Sequence, residues 1–474
     1  MSQACVSLLA SYSEKLAVLD AATGRWWTFG LLRGGAATVD ADITTAIGSR
    51  RALVFLRCRN DLPTLLGYLA AIEHGRPVAL LDAAMESELF AALVQRYRPA
   101  VVLGGDDAPV GYRRAASTSG SPAMFVRLDD DDPAVSDALA LLLPTSGSTG
   151  SPKFVRLSRN AVFANAASIG AALDIGATDR AITSLPLHYS YGLSVVNSHL
   201  CRGAQLVLTG RNLLEEEFWA LMREHAVTSM AGVPYSYQLL RRLDLDKLVV
   251  PALRTLTQAG GRLDAKLAAH FQQVMTGRRG RLFMMYGQTE ATARISICPA
   301  NALPAKLGSV GQAIPDGVLQ VLGSDGAVCS VGEPGEIMYV GPNVMLGYAE
   351  GPEDLALGDA QGGRLATGDI GYLDDEGFLF ITGRLKRIAK AFGYRLNLDE
   401  IEAALSSRGA VATICVDERV VVFCEGWAPE MIAEGLAHIV RITHVHPSAF
   451  QFRVIDHLPV LPNGKIDYRA LGQA

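Results

Sequence analysis

The segment Leu143-Pro144-Thr145-Ser146-Gly147-Ser148-Thr149-Gly150-Ser151-Pro152-Lys153 crowds hydroxyls, two glycines and a lysine into one loop after the apolar run Ala138 to Leu143. Glycines let backbone N–H groups turn toward an anion, hydroxyls donate to phosphoryl oxygens, and a lysine brings a mobile positive charge. The composition is that of a phosphate cradle. Its order differs from the G-x-x-x-x-G-K-[ST] loop of the common nucleotide hydrolases, in which lysine directly follows the second glycine. Here Ser151 and Pro152 intervene.

A second group, Tyr286-Gly287-Gln288-Thr289-Glu290, follows the strand-like run Leu282 to Met285. Its polar residues therefore fall at the carboxyl end of a strand, where α/β proteins hold ligands. An aromatic ring for a base, a hydroxyl for a phosphate and a carboxylate for a divalent cation suit a nucleotide–magnesium site. Thr367-Gly368-Asp369 offers a carboxylate to ribose hydroxyls, although the same tripeptide also makes ordinary turns. Leu461 to Asp467 presents Lys465 on a turn beside Pro462 and Gly464. His444-Val445-His446 has the spacing to put two imidazoles on one strand face, but no third metal ligand is evident.

The elements that must position these groups alternate. β-type runs at Ala52 to Leu56, Pro77 to Leu81 and Ala100 to Leu103 are separated by helix-like stretches at Leu62 to Glu73 and Met85 to Tyr97, the pattern of βαβ units and parallel sheets. From about Gly308 the texture changes to short segments broken by Gly, Pro and Asp, which predicts a β-rich subdomain over about 308–383. The expected fold is α/β: a large N-terminal domain of doubly wound sheets with that subdomain (1–385), then a small mobile α+β domain (386–474). Its first helix is expected near Asp399 to Glu402.

The chain has 474 residues, 49% hydrophobic and 19% charged, an ordinary globular balance. A net charge of −5 gives no global basic field, so nucleic acid is not expected as a partner. Seven scattered cysteines without C-x-x-C spacing suit a reducing compartment. No signal-like segment or long apolar run is present, so the expected protein is cytoplasmic with no membrane partner, as monomer or homodimer.

The run T-S-G-S-T-G-x-P-K from Thr145 to Lys153, followed in order by the groups at Tyr286, Asp369, Arg384 and Lys465, resembles the adenylate-forming enzymes: acyl-CoA synthetases, aryl-acid ligases, luciferases and peptide-synthetase adenylation domains. The resemblance runs from about Ala138 to the C-terminus and is weaker over the first hundred residues. It implies that Thr145, Ser146, Ser148, Thr149 and Lys153 embrace the ATP phosphates, with Gly147 and Gly150 shaping the loop. Gly260 and Gly261 match the adenine-side loop. Tyr286 would stack on adenine, with Gly287 beside it, Thr289 would touch the α-phosphate, and Glu290 would hold Mg²⁺. Asp369 and Arg384 match ribose contacts, Lys386 the hinge, and Lys465 the lysine bridging carboxylate and α-phosphate during adenylation.

The resemblance also places His188, Tyr189, Ser190 and Gly192 in the acyl pocket, with Tyr191, Tyr235 and Tyr237 nearby. Ser190 stands where amino-acid-activating members commonly carry an aspartate, and a hydroxyl cannot neutralise a buried ammonium. An aryl, fatty or other non-α-amino acid is therefore expected. The implied reaction is ATP-dependent acyl-adenylate formation with pyrophosphate release, then transfer to the pantetheine thiol of CoA or of an acyl or peptidyl carrier protein. Arg384, Lys386, Arg387, Lys390 and Arg395 form the expected basic face for that acceptor. An amine acceptor, or an inactive nucleotide-binding homologue, are the alternatives.

Overall fold

The computed structural model describes residues 7–9, 13–145, 153–245, 247–391, 394–416, 419–443, 445–461 and 466–473. Two large sheets dominate. In one, the parallel strands Val54–Cys58, Val78–Asp82 and Val101–Leu103 are almost wholly buried and, Arg57 and Asp82 apart, apolar, as parallel strands covered on both faces are. In the other, parallel strands Arg180–Ile182, Gln205–Leu208, Ser229–Gly232, Thr255–Gln258 and Arg281–Tyr286 lie side by side.

The helix Leu62–His74 shows how local signals and packing agree. Asp61 accepts the Thr64 N–H at 2.9 Å, Pro63 occupies the first turn, and Gly75 closes the helix in the left-handed conformation. It is apolar around most of its circumference because it lies in the core between the sheets, which runs from Val18 and Leu206 to Val54 and Leu141. Each leucine fully buried there stabilises the fold by roughly 1.5–3 kcal/mol.

The first sheet ends in an antiparallel set, Leu139–Thr145 with Lys153–Ser158, and Gly347–Ala349 forms its edge. Arg156, 1% exposed, fastens that edge: its guanidinium donates to the carbonyls of Tyr348 at 3.0 Å, Leu346 at 3.2 Å and Gly358 at 3.3 Å, and also to that of Leu357. A third sheet joins Val318–Leu322, Gly335–Val340, Arg364–Leu373 and Leu379–Arg384, in the region where the Gly, Pro and Asp punctuation predicts β structure.

Beyond Arg384 come a hairpin (Ile388–Ala391 with Tyr394–Asn397), the helix Leu398–Leu405, three strands (Val411–Val416, Arg419–Glu425, Phe450–Ile455) and the helix Pro429–Thr443 around their own core. The basic stretch after Arg384 thus leads into a hairpin, and the first helix follows where it is expected near Asp399 to Glu402. Val445 and His446 are not in a strand; His446 caps the short turn Pro447–Ala449, and His444 lies outside the described residues.

Candidate active site

The strand Arg281–Tyr286 carries the segment Tyr286 to Glu290 to the end of its sheet, and a 3₁₀ turn, Thr289–Ala291, follows. Gly287 is dictated by close approach: a Cβ there would lie 1.7 Å from the carbonyl oxygen of Ala293. The chain can therefore fold back and present successive side chains to three different neighbours.

Tyr286 and Gln288 face Asp369, which is 3% exposed. The Tyr286 hydroxyl donates to Asp369 Oδ2 at 2.5 Å and Gln288 Nε2 donates to the same oxygen at 2.7 Å. Arg384 Nε pairs with Oδ1 at 2.9 Å. Burial first, and the Asp369 charge second, hold the Tyr286 phenol well above its usual pKa, so it stays a donor. A carboxylate offers about four acceptor sites, and these three donors leave about one for a ligand hydroxyl.

Thr289 faces the helix Ser190–Cys201. Its hydroxyl lies 3.2 Å from that of Ser190, the first helical residue. No side chain caps this helix start, so its backbone N–H groups and dipole are open to an anion beside Thr289. Gly192 lets the first turn sit against the preceding loop, since a Cβ would approach the Pro186 carbonyl oxygen to 2.2 Å. Asn60 pins that loop by donating to Leu185 O at 3.1 Å and accepting from Leu187 N at 3.0 Å.

Glu290 faces Tyr348, whose hydroxyl donates to its Oε1 at 2.8 Å. The Lys153 ammonium lies 3.5 Å from the centre of the same ring, a cation–π contact. Lys153 pairs in register with Thr145, whose hydroxyl donates to the Lys153 carbonyl at 3.3 Å. One carboxylate oxygen of Glu290 is used by a phenol, and the other is a hard donor of the kind Mg²⁺ takes together with phosphate oxygens. Among the described residues the only three-acid cluster is Asp374, Asp375 and Glu376, far along the chain, where Lys306 binds Asp374 at 2.7 Å.

The remaining expected residues divide. Gly260 and Gly261 follow the strand Thr255–Gln258; Gly260 faces the Tyr189 hydroxyl, and Gln258 Nε2 donates to Gly261 O at 2.9 Å. His188 Nε2 sits 3.8 Å from Asp82 Oδ2, and burial lowers its pKa against the opposing pull of that carboxylate. Tyr235 is exposed, and Tyr237 is buried against Phe271. Ser146, Gly147, Ser148, Thr149, Gly150 and Lys465 lie outside the described residues, as do the side chains of Lys386, Lys390 and Arg395.

Arg387 does not belong to a free basic face. It turns inward, with Nε 2.8 Å from Asp399, Nη1 2.7 Å from the Thr413 carbonyl, Nη2 on Glu402, and its guanidinium over Tyr468. The reason is the helix Leu398–Leu405, which places two carboxylates one turn apart against it.

A match to the AMP-binding enzyme family spans residues 8–349. The chain belongs to that family. This AMP-binding enzyme is 28% identical to sulfoacetate–CoA ligase of Cupriavidus necator over 490 residues, covering 96% of this chain and 94% of the relative. It is 28% identical to a linear gramicidin synthase of Brevibacillus parabrevis over 435 residues, covering 86% of this chain and 5% of that much longer protein. Among solved structures, O-succinylbenzoate coenzyme A synthetase from Bacillus subtilis, in complex with AMP, superposes with a TM-score of 0.78 at 22% identity, covering 100% of this chain and 98% of that one. The likeness extends the shared fold through the small α+β region after Arg384.

Sequence reasoning on this AMP-binding enzyme missed Tyr348, which links Lys153 to Glu290, and Arg294, which packs against Tyr191. Neither stands in a motif with a chemical signature. The helix N-terminus at Ser190 was legible only as part of a pocket.

Proposed function

We propose that this AMP-binding enzyme is an AMP-forming acid–thiol ligase. An oxygen of the substrate carboxylate attacks the α-phosphorus of ATP, the bond to the β-phosphate oxygen breaks, and pyrophosphate leaves with its electron pair. The acyl-adenylate then meets a pantetheine thiolate, which attacks the acyl carbon and displaces AMP. The nucleophile is the substrate itself, so catalysis rests on positioning and charge neutralisation.

The observation that carries this reading is the convergence on one five-residue segment. Tyr286 and Gln288 reach the Asp369–Arg384 pair, Thr289 reaches Ser190, and Glu290 reaches Tyr348 beside Lys153. In the assignment we favour, Asp369 and Arg384 hold the ribose, Tyr286 flanks the adenine, Thr289 and the Ser190 helix start receive the α-phosphate, and Lys153 neutralises the outer phosphates with Thr145 and the loop to Gly150. Glu290 would hold Mg²⁺, which when bound supplies charge neutralisation on the phosphates. Lys465 would bridge carboxylate and α-phosphate.

We also divide the chain at 385/386, with Lys386 as hinge. The acceptor is CoA or a carrier protein: one relative is named as a CoA ligase and another as a gramicidin synthase, and neither name selects between the two acceptors. Among the described residues no helix is long and apolar enough to cross a membrane. Pyrophosphate release from ATP, measured with panels of acids with and without CoA or a carrier protein, tests the reading. Acid-dependent release with AMP as co-product and a new thioester is expected. ADP formation, or no release with any acid, would sink it.

A further inference from the structure

Arg294 is 2% exposed, and its guanidinium has no carboxylate partner among the described residues. Its Nε is buried without any hydrogen-bond acceptor. Its charge is partly offset by the ring of Tyr191, 4.6 Å from the guanidinium carbon, and by the Tyr189 phenol. The position is built, not accidental. The Arg294 carbonyl is held by Asn165 Nδ2 at 3.1 Å and Asn343 Nδ2 at 2.9 Å, and the Tyr191 hydroxyl is fixed on Thr257 at 2.8 Å.

Arg294 and Tyr191 line a cavity of about 30 Å³ shared with Ser194, His199, Thr255 and Thr257. Thr255 Oγ1 is also buried without a partner. The other charged groups at this cavity are already matched, Asp179 with Arg254 at 2.9 Å and Arg281 with Asp174 at 3.5 Å. A guanidinium remains protonated even when burial lowers its pKa, as it does here. An isolated buried cation is costly to a fold unless an anion meets it.

The cavity and the proposed reaction site draw on adjacent residues of the same two segments. Ser190 meets Thr289 at 3.2 Å, and the next helical residue, Tyr191, meets Arg294, which follows Thr289 in the same turn-and-return segment. A substrate whose reacting carboxylate meets the α-phosphate held at the Ser190–Thr289 pair would therefore extend toward Arg294 after a short spacer. A cavity of this size admits a group equivalent to one or two waters, which suits a compact polar terminus better than an aryl ring or a fatty chain.

Resting on the ligase reading above, we infer that the acid activated by this enzyme carries a second anionic group, and that Arg294 is the residue that receives it. The substrate class is a short dicarboxylic acid. Arg294 acts as a specificity residue toward the distal carboxylate, with Thr255 as an additional hydroxyl donor.

The test is ATP-dependent pyrophosphate release with malonate, succinate and glutarate, each compared with its monomethyl ester, in the full-length enzyme and in Arg294→Met and Arg294→Lys. A diacid preference of about a hundredfold or more in kcat/KM is expected, as for sites that lose a buried polar partner. It should collapse in Arg294→Met and return in part in Arg294→Lys. Monoesters or longer uncharged acids turned over better than any diacid would overturn the inference and leave the ligase reading standing. An Arg294→Met variant that loses diacid and monoester alike would also overturn it, because the guanidinium would then serve the reacting carboxylate. If no acid releases pyrophosphate, the ligase reading fails. Calorimetric binding of the same diacids then decides separately: binding that Arg294→Met does not weaken sinks the role assigned to Arg294. Melting temperatures of both variants exclude misfolding as the cause of any loss.

Discussion

Tyr348 donates its hydroxyl to Glu290 Oε1 at 2.8 Å while its ring supports the Lys153 ammonium 3.5 Å away. One phenol thus orients the carboxylate assigned to the metal and the lysine assigned to the phosphates. The Tyr348→Phe variant keeps the ring and removes the donor. The Mg²⁺ concentration needed for half-maximal pyrophosphate release should change, with activity lower by about 10–100-fold, the usual cost of losing a partner behind a metal ligand. An unaltered Mg²⁺ titration would remove Glu290 from the metal role.

Asp369 gathers three donors onto one buried carboxylate. In Asp369→Asn the Arg384 ion pair is lost and an amide N–H₂ is turned toward Tyr286 or Arg384. Charge-assisted bonds of this kind are worth about 1.5–3 kcal/mol each. The KM for ATP should rise by roughly ten- to a hundredfold, with a smaller effect on the KM for the acid. Equal effects on both would mean that the carboxylate organises the whole site and does not hold the nucleotide alone.

Lys465→Ala should slow adenylation by roughly 100–1000-fold, the scale of about 3–4 kcal/mol for one transition-state charge contact. Thioester formation from a synthetic acyl-adenylate should survive, since the lysine serves the first half-reaction. Loss of both halves together would argue against a separate role for each.

His199 is fully enclosed, with Nδ1 2.8 Å from the Val195 carbonyl and Nε2 3.2 Å from Ser229 Oγ. Burial lowers its pKa below the ordinary 6.5, and the Val195 carbonyl and Asp179 only partly oppose the shift. The unfolded chain therefore binds the proton first as pH falls. The stability it contributes is complete above about pH 6.5 and is lost as pH drops toward the lowered folded value. His188 acts in the same direction. Chemical denaturation at stepped pH should show stability falling below that point, and His199→Gln should flatten the slope. An unchanged slope in the variant would assign the acid sensitivity elsewhere.

Much of the scaffold was legible because buried parallel strands and the helices between them leave strong apolar signals. Val54–Cys58, Leu62–His74 and Val78–Asp82 fall within a few residues of the expected elements. The Tyr286 to Glu290 segment was legible for a different reason: it follows a strand-like run, and its place in the order of motifs resembles the adenylate-forming enzymes. What could not be read were pairings across long sequence separation. Nothing beside Tyr348 announces Glu290, and nothing beside Arg294 announces a buried charge. Arg387 looked like surface because its partners, Asp399 and Glu402, are brought to it only by the hairpin and helix that follow.

The edge strand Gly347–Ala349 also fixes an order of events during synthesis. Lys153–Ser158 cannot acquire its outer neighbour, and the Arg156 guanidinium cannot reach its carbonyl acceptors, until the ribosome has released residues up to about Gly358. Until then Lys153–Ser158 is a bare edge with the Arg156 guanidinium in water, a hazard for pairing with other chains. The proposed nucleotide site is thus finished late, and a nascent chain stalled before that point would expose this edge to chaperones.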